Sequence, residues 1–287
     1  MQLIHDVAAL RRTVRGWQSN GERVALVPTM GNLHAGHLSL VRQAAQLADR
    51  VVISVFVNPM QFGEGEDFEA YPRTLEADCR SLDGQGADVV FAPGVETMYP
   101  GGAGAATRVE PPVSLTDMLC GEARPGHFTG VATIVAKLFN LVGPDLAVFG
   151  RKDFQQLQVI RRMAVDLNFP LEVHGCPIVR EPDGLAMSSR NAYLTEDERR
   201  RAPALAAALR ALVEAVRQGE RDVSRLEAEA RNALEEAGLG PDYISLRRGS
   251  DLADPRPGDR QLVVLGAARL GRARLIDNIE FEVAGGW

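Results

Sequence analysis

Residues 24–37 read Val-Ala-Leu-Val-Pro-Thr-Met-Gly-Asn-Leu-His-Ala-Gly-His. The apolar run at the start of this stretch predicts a buried strand, and an amphipathic helix is predicted directly after it, over residues 38–49. His34 and His37 lie three positions apart, so both imidazoles should point the same way from the helix N-terminus. That end of a helix offers free N–H groups and a positive dipole, and Gly36 lets an anion approach the main chain. The elbow between strand and helix therefore predicts a site for a nucleotide triphosphate.

Two other interpretations of the elbow are possible. Gly31 and Gly36 have the spacing of a P-loop, but His37 replaces its lysine and Leu38 its metal-binding hydroxyl, which argues against a P-loop NTPase. Alternatively, His34 is a surface residue and His37 a helix cap. Because two of the five histidines of the chain fall in this one glycine-bearing elbow, we favour the phosphate site.

Strand and helix patterns alternate through the first two thirds of the chain. Strands are predicted at 24–27, 51–57, 89–92, 146–149 and 173–179, and helices at 38–49, 72–83, 130–142 and 153–168, with Pro72 as the first residue of its helix. This alternation predicts an α/β fold with a parallel sheet and ligands at the carboxyl ends of the strands. Asn58–Gln61 and Gly150–Asp153 also follow strands, so we expect them to meet the elbow at that edge.

The pattern changes after about residue 185. Thr195 and Glu198 form a capping box, predicting a helix to about residue 218 and a second helix at 222–237. Strands are predicted at 243–247, 262–267 and 273–283. We therefore expect a domain of residues 1–184 followed by a small α+β domain of residues 185–287. Residues 101–106 are predicted to form a flexible loop without the GxGxxG of a dinucleotide site.

Composition limits the class of protein. The chain of 287 residues has a net charge of −6, which argues against a general binder of nucleic acid or of anionic membranes. Its three cysteines are far apart and form no CxxC, as expected in a reducing cytoplasm. The N-terminal residues do not predict a signal peptide, and the longest apolar run, residues 51–57, is too short for a membrane span.

Several blocks of the sequence extend this prediction: VPTMGNLHAGH, VFVNPMQF, YPRTLEAD, RPGHFTGVATIV, FGRKDFQQ, GLAMSSRN and LIDN. In this order they resemble the pantothenate synthetase (pantoate–β-alanine ligase) family, of the HxGH nucleotidyltransferase and class I aminoacyl-tRNA synthetase superfamily. The resemblance implies a Rossmann-like parallel sheet with helices on both faces, binding nucleotide and pantoate, and a C-terminal lid domain. It implies ATP-dependent condensation of (R)-pantoate with β-alanine, giving pantothenate, AMP and pyrophosphate through a pantoyl-adenylate. It also implies Mg²⁺ with ATP and a homodimer.

The resemblance assigns site residues by position. His37 takes the acid role, with His34 beside it. The residues implied to bind ATP are Met30, Gly31, Asn32, Leu33, His34, Ala35, Gly36, His37, Gly150, Arg151, Lys152, Asp153, Val179, Met187, Ser188, Ser189 and Arg190. Gln61 and Gln156 are implied to bind pantoate, and Gln61 also β-alanine. These assignments suit the side chains, because a neutral amide can donate to and accept from a hydroxy acid. Lys152 suits the β- and γ-phosphates as a point charge, and Arg190 suits them as a fork.

Other residues have less definite interpretations. Gln155 is interpreted as a surface glutamine, and Ser188 could equally be a turn residue. Arg124 and His127 form a second basic loop with no role that the sequence gives. Residues 62–71 are a candidate lid, and Asp78 is a weak candidate ligand of Mg²⁺ in a sequence without a dedicated metal cage.

The sequence leaves three alternative functions. Another HxGH nucleotidyltransferase would transfer AMP to a phosphorylated acceptor and leave a stable nucleotidylated product. A class I tRNA synthetase is disfavoured because nothing resembles an anticodon-binding domain and the chain is acidic. A non-enzymatic nucleotide-binding regulator would require that His37 and Gln156 be dispensable.

Overall fold

The apolar runs of the first two thirds of the chain form parallel strands in the computed structural model, which describes residues 1–63 and 65–287. The chain divides into two compact units. The first unit comprises Met1–Asp117, Arg124–Arg151 and Val159–Pro177, and the second comprises Met118–Ala123, Lys152–Gln158 and Ile178–Trp287. The domain boundary expected between residues 184 and 185 stays a prediction.

The first unit contains a parallel sheet with helices on both sides, as predicted. Its strands are β1 Gln2–Ile4, β2 Val24–Thr29, β3 Arg50–Val55, β4 Val89–Phe91, β5 Leu146–Gly150 and β6 Glu172–Cys176. They lie in the order β1-β4-β3-β2-β5-β6. Because β2 pairs with β3 on one side and with β5 on the other, the elbow, the turn after β3 and the turn after β5 follow adjacent strand ends. The predicted convergence of these motifs at one sheet edge is therefore observed for their strands.

Helices precede, connect and follow these strands. They are α1 Val7–Ser19, α2 Ala35–Leu47, α3 Leu75–Leu82, α4 Val95–Met98, α5 Val113–Thr116, α6 Leu119–Ala123, α7 His127–Val142 and α8 Phe154–Asp166. Short 3₁₀ helices cover Pro59–Gln61, Ala103–Ala105, Arg151–Asp153 and Ser189–Tyr193.

Burial of apolar side chains fixes the elbow helix on the sheet. Leu40, Val41 and Ala44 of α2 join one buried cluster with Ala25 and Val27 of β2. Each fully buried large aliphatic side chain contributes about 1.5–3 kcal/mol relative to an exposed one. The N-terminus of α2 is therefore oriented by the packing of the core and not by the conformation of a loop.

The second unit contains an antiparallel sheet covered by helices. Its further helices are α9 Glu196–Arg201, α10 Ala204–Arg217 and α11 Val223–Glu236, and its strands are β7 Gly240–Arg248, β8 Gln261–Leu270 and β9 Ala273–Glu282, paired in that order. Gly266 of β8 allows close packing, since a Cβ there would lie 2.8 Å from Ile244 Cδ1 and 2.9 Å from Leu205 Cδ1. The expected small α+β region is confirmed.

The structure corrects several predicted boundaries. Pro72 does not open α3, which begins after Thr74, because Arg73 holds the preceding turn by donating to the carbonyls of Phe68, Glu69 and Tyr71. The predicted helix to residue 218 is two helices, broken before Pro203, which has no N–H to donate.

Three further boundaries differ. Strand β6 ends at Cys176, directly before Pro177, rather than at residue 179. The predicted loop 101–106 contains a 3₁₀ turn. Strand β1 and helix α1 were not predicted, although Asp6 caps α1 by accepting a hydrogen bond from the Ala9 N–H at 2.8 Å. Among the described residues, none of the helices has the length and apolar character needed to cross a membrane.

Candidate active site

The two histidines of the elbow cap helix α2 together. His34 is the N-cap, and its Nδ1 accepts a hydrogen bond from the Gly36 N–H at 3.1 Å. The Nδ1 of His37 accepts from the His34 N–H at 3.3 Å, and the ring centroids lie 4.1 Å apart. Because both Nδ1 atoms act as acceptors, each neutral ring carries its proton on Nε2. Helix capping and a role towards phosphate therefore use different nitrogens, and the two interpretations of the elbow are compatible.

A buried carboxylate shapes the turn before these histidines. Asp78 of α3 is 2% exposed, and it accepts hydrogen bonds from the N–H groups of Asn32 at 3.0 Å and Leu33 at 2.8 Å. Gly31 and Asn32 have positive φ angles of 83° and 51°, and a Cβ on Gly31 would lie 3.0 Å from Asp78 Oδ2. Asp78, considered above as a weak Mg²⁺ ligand, here holds the main chain of the candidate ATP loop.

The structure brings Gln61, from the turn after β3, beside Met30 of the elbow. The Nε2 of Gln61 lies 2.9 Å from Met30 Sδ, and its Oε1 accepts from Nδ2 of Asn58 at 3.1 Å. Gln61 is 9% exposed and Asn58 is 1% exposed. The two amides form one buried pair, and the role of Asn58 in orienting Gln61 was not predicted from the sequence.

Helix α7 packs directly on this turn. The main-chain oxygen of Gly130 accepts from Asn58 Nδ2 at 3.1 Å, and a Cβ on Gly130 would collide with the main-chain oxygen of Met60. The hydroxyl of Tyr99 donates to Asn58 Oδ1 at 2.7 Å. Burial raises the pKa of Tyr99 to about 12, so this hydroxyl stays protonated at neutral pH. The block RPGHFTGVATIV thus includes a glycine that close packing requires.

Arg124 and His127 converge on the main chain of Gln61. His127 Nδ1 lies 2.8 Å and Arg124 Nη2 lies 3.2 Å from Gln61 O. Arg124 also donates to both carboxylate oxygens of Glu66, at 2.6 and 2.5 Å. Burial alone would raise the pKa of Glu66, but the hydrogen bonds and charge of Arg124 outweigh it and lower the pKa. Glu66 belongs to the candidate lid, of which residue 64 lies outside the described residues.

In the second unit, Lys152 and Ser188 line one small cavity of about 10 Å³. The side chain of Lys152 is 19% exposed, and its Nζ lies 3.8 Å from Asp153 Oδ2. The main-chain oxygen of Lys152 accepts from Nδ2 of Asn278 at 2.8 Å. The LIDN block thus fixes the main chain from which Lys152 extends, a role that its sequence did not reveal.

Residues 179–190 form a turn that joins two predicted parts of the ATP site. The N–H of Met187 donates to Val179 O at 3.0 Å. Arg180 makes a bidentate ion pair with Asp277, at 2.6 and 2.9 Å, which fixes the turn against β9. Ser188 caps the 3₁₀ helix that follows, accepting from the Arg190 N–H at 3.3 Å. The structure therefore supports its interpretation as a turn residue, and Ser188 lines the same small cavity as Lys152.

The interpretation of Gln155 as a surface glutamine was wrong. This residue is 3% exposed, its Oε1 accepts from the Cys120 N–H at 3.0 Å, and its Nε2 donates to Met118 O at 2.9 Å. It therefore joins the start of α8 to the segment around α6. Gln156, the next residue, is only half-buried. A pair of adjacent glutamines is thus divided between a structural and a candidate binding role.

The remaining candidates lie at the end of β5. Arg151 Nε donates to Gly175 O at 2.9 Å, within the first unit, whereas Lys152 and Asp153 belong to the second. Across residues 1–63 and 65–287, no three His, Cys, Asp or Glu side chains cluster so as to hold a metal ion.

Comparison with known proteins agrees with this geometry. The family model described as pantoate–β-alanine ligase matches residues 2–280. The pantothenate synthetase of Alkalilimnicola ehrlichii is 58% identical over 283 residues, covering 99% of each chain. That of Thioalkalivibrio sulfidiphilus is 59% identical over 283 residues, again covering 99% of each chain.

Solved structures give the same result. The crystal structure of pantothenate synthetase from Thermus thermophilus has a TM-score of 0.86 and 48% identity, covering 97% of this chain and 99% of that one. The pantoate–β-alanine ligase of Francisella tularensis, complexed with Beta-gamma ATP and Beta-alanine, has a TM-score of 0.82 and 31% identity, covering 97% of each chain. On both grounds, the chain belongs to the pantoate–β-alanine ligase family.

Proposed function

We propose that this protein is an ATP-dependent ligase that condenses (R)-pantoate with β-alanine, giving pantothenate, AMP and pyrophosphate. One observation carries the proposal. The imidazoles of His34 and His37 lie side by side at the N-terminus of α2, directly after β2. The neighbouring strand β3 is followed by the buried amide pair of Asn58 and Gln61. The two imidazoles can donate to the phosphates of a nucleotide, and the buried amide of Gln61 can bind a hydroxy acid. This combination suits an enzyme that activates a hydroxy acid with ATP.

The chemistry requires activation because a carboxylate is a poor electrophile. In the proposed first step, a pantoate carboxylate oxygen attacks the α-phosphorus of ATP, pyrophosphate leaves, and pantoyl-adenylate forms. In the second step the amine of β-alanine attacks the acyl carbon and AMP leaves. The protein has to hold the reactants in line and stabilise the charge that grows on the phosphate oxygens.

The proposed nucleotide contacts use main-chain and charged groups. The Nε2–H groups of His34 and His37 would donate to phosphate oxygens, with the free N–H groups of α2 beside them. Lys152 would act as a point charge on the β- and γ-phosphates and Arg190 as a fork. The remaining proposed ATP contacts are Met30 to Ala35, Gly36, Gly150, Arg151, Asp153, Val179 and Met187 to Ser189.

The organic substrates are assigned to the two amides. We propose that Gln61 and Gln156 bind pantoate and that Gln61 also lies near β-alanine. The structure of the Francisella relative complexed with Beta-gamma ATP and Beta-alanine supports ATP and β-alanine as substrates of this chain.

Mg²⁺, oligomeric state and location complete the proposal. Mg²⁺ would be held chiefly by phosphate and water oxygens, since the carboxylate of Asp78 already accepts hydrogen bonds from the main chain of the elbow.

We propose a homodimer, from the family resemblance, and a cytoplasmic location, which suits three free cysteines. Light scattering on the purified protein tests the dimer.

Isotope transfer tests the reaction sharply. The purified protein is incubated with ATP, Mg²⁺, β-alanine and pantoate labelled with ¹⁸O in its carboxylate. Attack on the α-phosphorus leaves one labelled oxygen in AMP, which mass spectrometry detects beside pantothenate. Omitting β-alanine should give pyrophosphate and pantoyl-adenylate without AMP. A stable nucleotidylated product would indicate a nucleotidyltransferase, and absence of turnover would indicate a nucleotide-binding regulator.

A further inference from the structure

The amide of Asn58 is held by main-chain groups that can each play only one role. The N–H of Met60 can only donate, and it lies 3.3 Å from Asn58 Oδ1. The carbonyl of Gly130 can only accept, and it lies 3.1 Å from Asn58 Nδ2. A flipped Asn58 would set a donor against a donor and an acceptor against an acceptor. The main chain therefore fixes the positions of Oδ1 and Nδ2 in the Asn58 amide.

The orientation of Asn58 in turn fixes that of Gln61. Because Asn58 Nδ2 donates to its neighbour at 3.1 Å, that neighbouring atom must be the carbonyl oxygen, Oε1, of Gln61. The NH₂ group of Gln61 then lies at the opposite end of its amide, 2.9 Å from Met30 Sδ, which is a weak acceptor. Gln61 thus presents hydrogens rather than lone pairs on the side of the elbow.

Tyr99 reinforces this arrangement from the other side of Asn58. Its hydroxyl lies 2.7 Å from Asn58 Oδ1, closer than the Met60 N–H at 3.3 Å. The residue is 3% exposed, and its ring packs on Phe56 with the Nζ of Lys137 5.6 Å from its centroid. These contacts hold the buried ring in addition to the hydrogen bond of its hydroxyl to Asn58.

We propose that Tyr99 is a positioning residue for pantoate, which acts through Asn58 to keep the NH₂ group of Gln61 turned towards the substrate. This inference rests on the proposed function, in which Gln61 binds pantoate. The Gln61 amide then recognises an acceptor oxygen of the hydroxy acid, either from the carboxylate or from a hydroxyl.

The first test compares two variants that each remove one buried hydroxyl near α7. Tyr99→Phe keeps the ring and loses the bond to Asn58. Thr133→Val is the control, because its hydroxyl is also buried but accepts from the Val109 N–H at 2.9 Å instead. Loss of one hydrogen bond should raise the pantoate KM of Tyr99→Phe about three- to tenfold, with the ATP KM unchanged. Thr133→Val should leave the pantoate KM unchanged, and thermal denaturation should show both variants folded.

A double-mutant cycle separates positioning from general packing. In a Gln61→Ala background, Tyr99→Phe should have no further effect on the residual use of pantoate, because the side chain through which it acts is gone. Additive effects of the two substitutions would overturn the proposal, as would equal pantoate KM values for wild type and Tyr99→Phe.

A third variant tests which end of the Gln61 amide faces the substrate. Gln61→Glu replaces the NH₂ group with a carboxylate oxygen and should weaken pantoate binding more than Gln61→Ala, measured by calorimetry. Equal or tighter binding by Gln61→Glu would show that this side chain accepts from pantoate. If wild type forms no pantothenate, the proposed function fails together with this inference. If wild type is active and Tyr99→Phe is normal, the positioning role fails alone.

Discussion

The carboxylate of Glu66 and the guanidinium of Arg124 form a bidentate ion pair, and the same guanidinium donates to the main-chain oxygen of Gln61. One charged pair thus joins the candidate lid to the turn that carries the proposed pantoate ligand. Both side chains are largely buried, at 25% and 17% exposure, so the pair is shielded from screening by salt.

The contribution of this ion pair to the stability of the folded protein should decrease in acid. The pKa of Glu66 in the folded protein lies below its ordinary value of 4.5, so its contribution to stability is fully present above that value. The contribution is lost as the pH falls through the lowered pKa. Glu66→Gln should therefore cost about 1–2 kcal/mol of unfolding free energy at neutral pH and progressively less as the pH falls below 4.5, measured by denaturant titration.

A control for this prediction is Glu76→Gln, since Glu76 is almost fully exposed and its nearest Arg80 nitrogen is 3.9 Å away. That variant should be indistinguishable from wild type at every pH. A cost for Glu66→Gln that persists unchanged in acid would mean that the carboxylate contributes through packing alone.

His37→Ala should lower kcat by roughly 10²–10⁴, because it removes a donor aimed at developing phosphate charge. It also removes one partner of the capping box, at about 1 kcal/mol of stability. His174→Ala is a suitable comparison, since His174 lies on β6 and pairs with Glu172 rather than with the elbow. A loss of kcat below about threefold, with circular dichroism unchanged, would leave His37 with capping as its only role.

Lys152→Ala should weaken ATP binding by about one to two decades, as expected for the loss of one charged hydrogen bond of about 1.5–3 kcal/mol. AMP binding should change far less, because the proposed partners of Lys152 leave with pyrophosphate. Lys152→Arg keeps the charge and should recover part of the affinity in calorimetry. Equal weakening of ATP and AMP would place Lys152 away from the β- and γ-phosphates.

Adjacent glutamines offer a matched comparison. Gln156→Ala should raise the pantoate KM or lower kcat while calorimetric ATP affinity stays within about threefold, because a neutral amide is a weak phosphate clamp. Gln155→Ala should instead lower the free energy of unfolding by about 1–3 kcal/mol, since the N–H of Cys120 and the carbonyl of Met118 lose their partner. The reverse pattern would mean that the two side chains have been assigned to the wrong roles.

The sequence predicted those features that arise from local patterns. Continuous apolar runs gave the central strands β2 and β3, and the order of strand and helix gave the parallel sheet. Pro72 was wrongly taken as the first residue of its helix, whereas Pro203 was not recognised as a break in the helix predicted to residue 218. The effect of a proline on a helix depends on the hydrogen bonds of the neighbouring turn, which the sequence does not give. Helix α1 had a readable signal, an Asp6 cap before apolar residues at helical spacing, that was not used.

Contacts between distant residues could not be predicted in this way. The Tyr99 hydroxyl reaches Asn58 across 41 positions, and Asp78 reaches the N–H of Asn32 across 46. Neither side chain has a local pattern that distinguishes it from an ordinary buried tyrosine or a helix aspartate. Gln155 and Gln156 illustrate the same limit, since only the folded chain decides which of two identical neighbours points inward.

The capping arrangement of the elbow restricts the chemistry open to its histidines. An imidazolium has no lone pair, so neither ring can hold a second proton while its Nδ1 still accepts from the main chain. A complete proton transfer to a leaving phosphate would convert a neutral ring into an imidazolate, which is far too basic to form at neutral pH. As long as α2 is capped in this way, His34 and His37 can polarise the phosphate groups but cannot transfer a proton to them. Their Nε2–H groups donate hydrogen bonds to the phosphate oxygens and retain the protons. Pyrophosphate would then depart with hydrogen bonds from these two rings to its oxygens, and any proton delivered to it would come from a group other than His34 and His37.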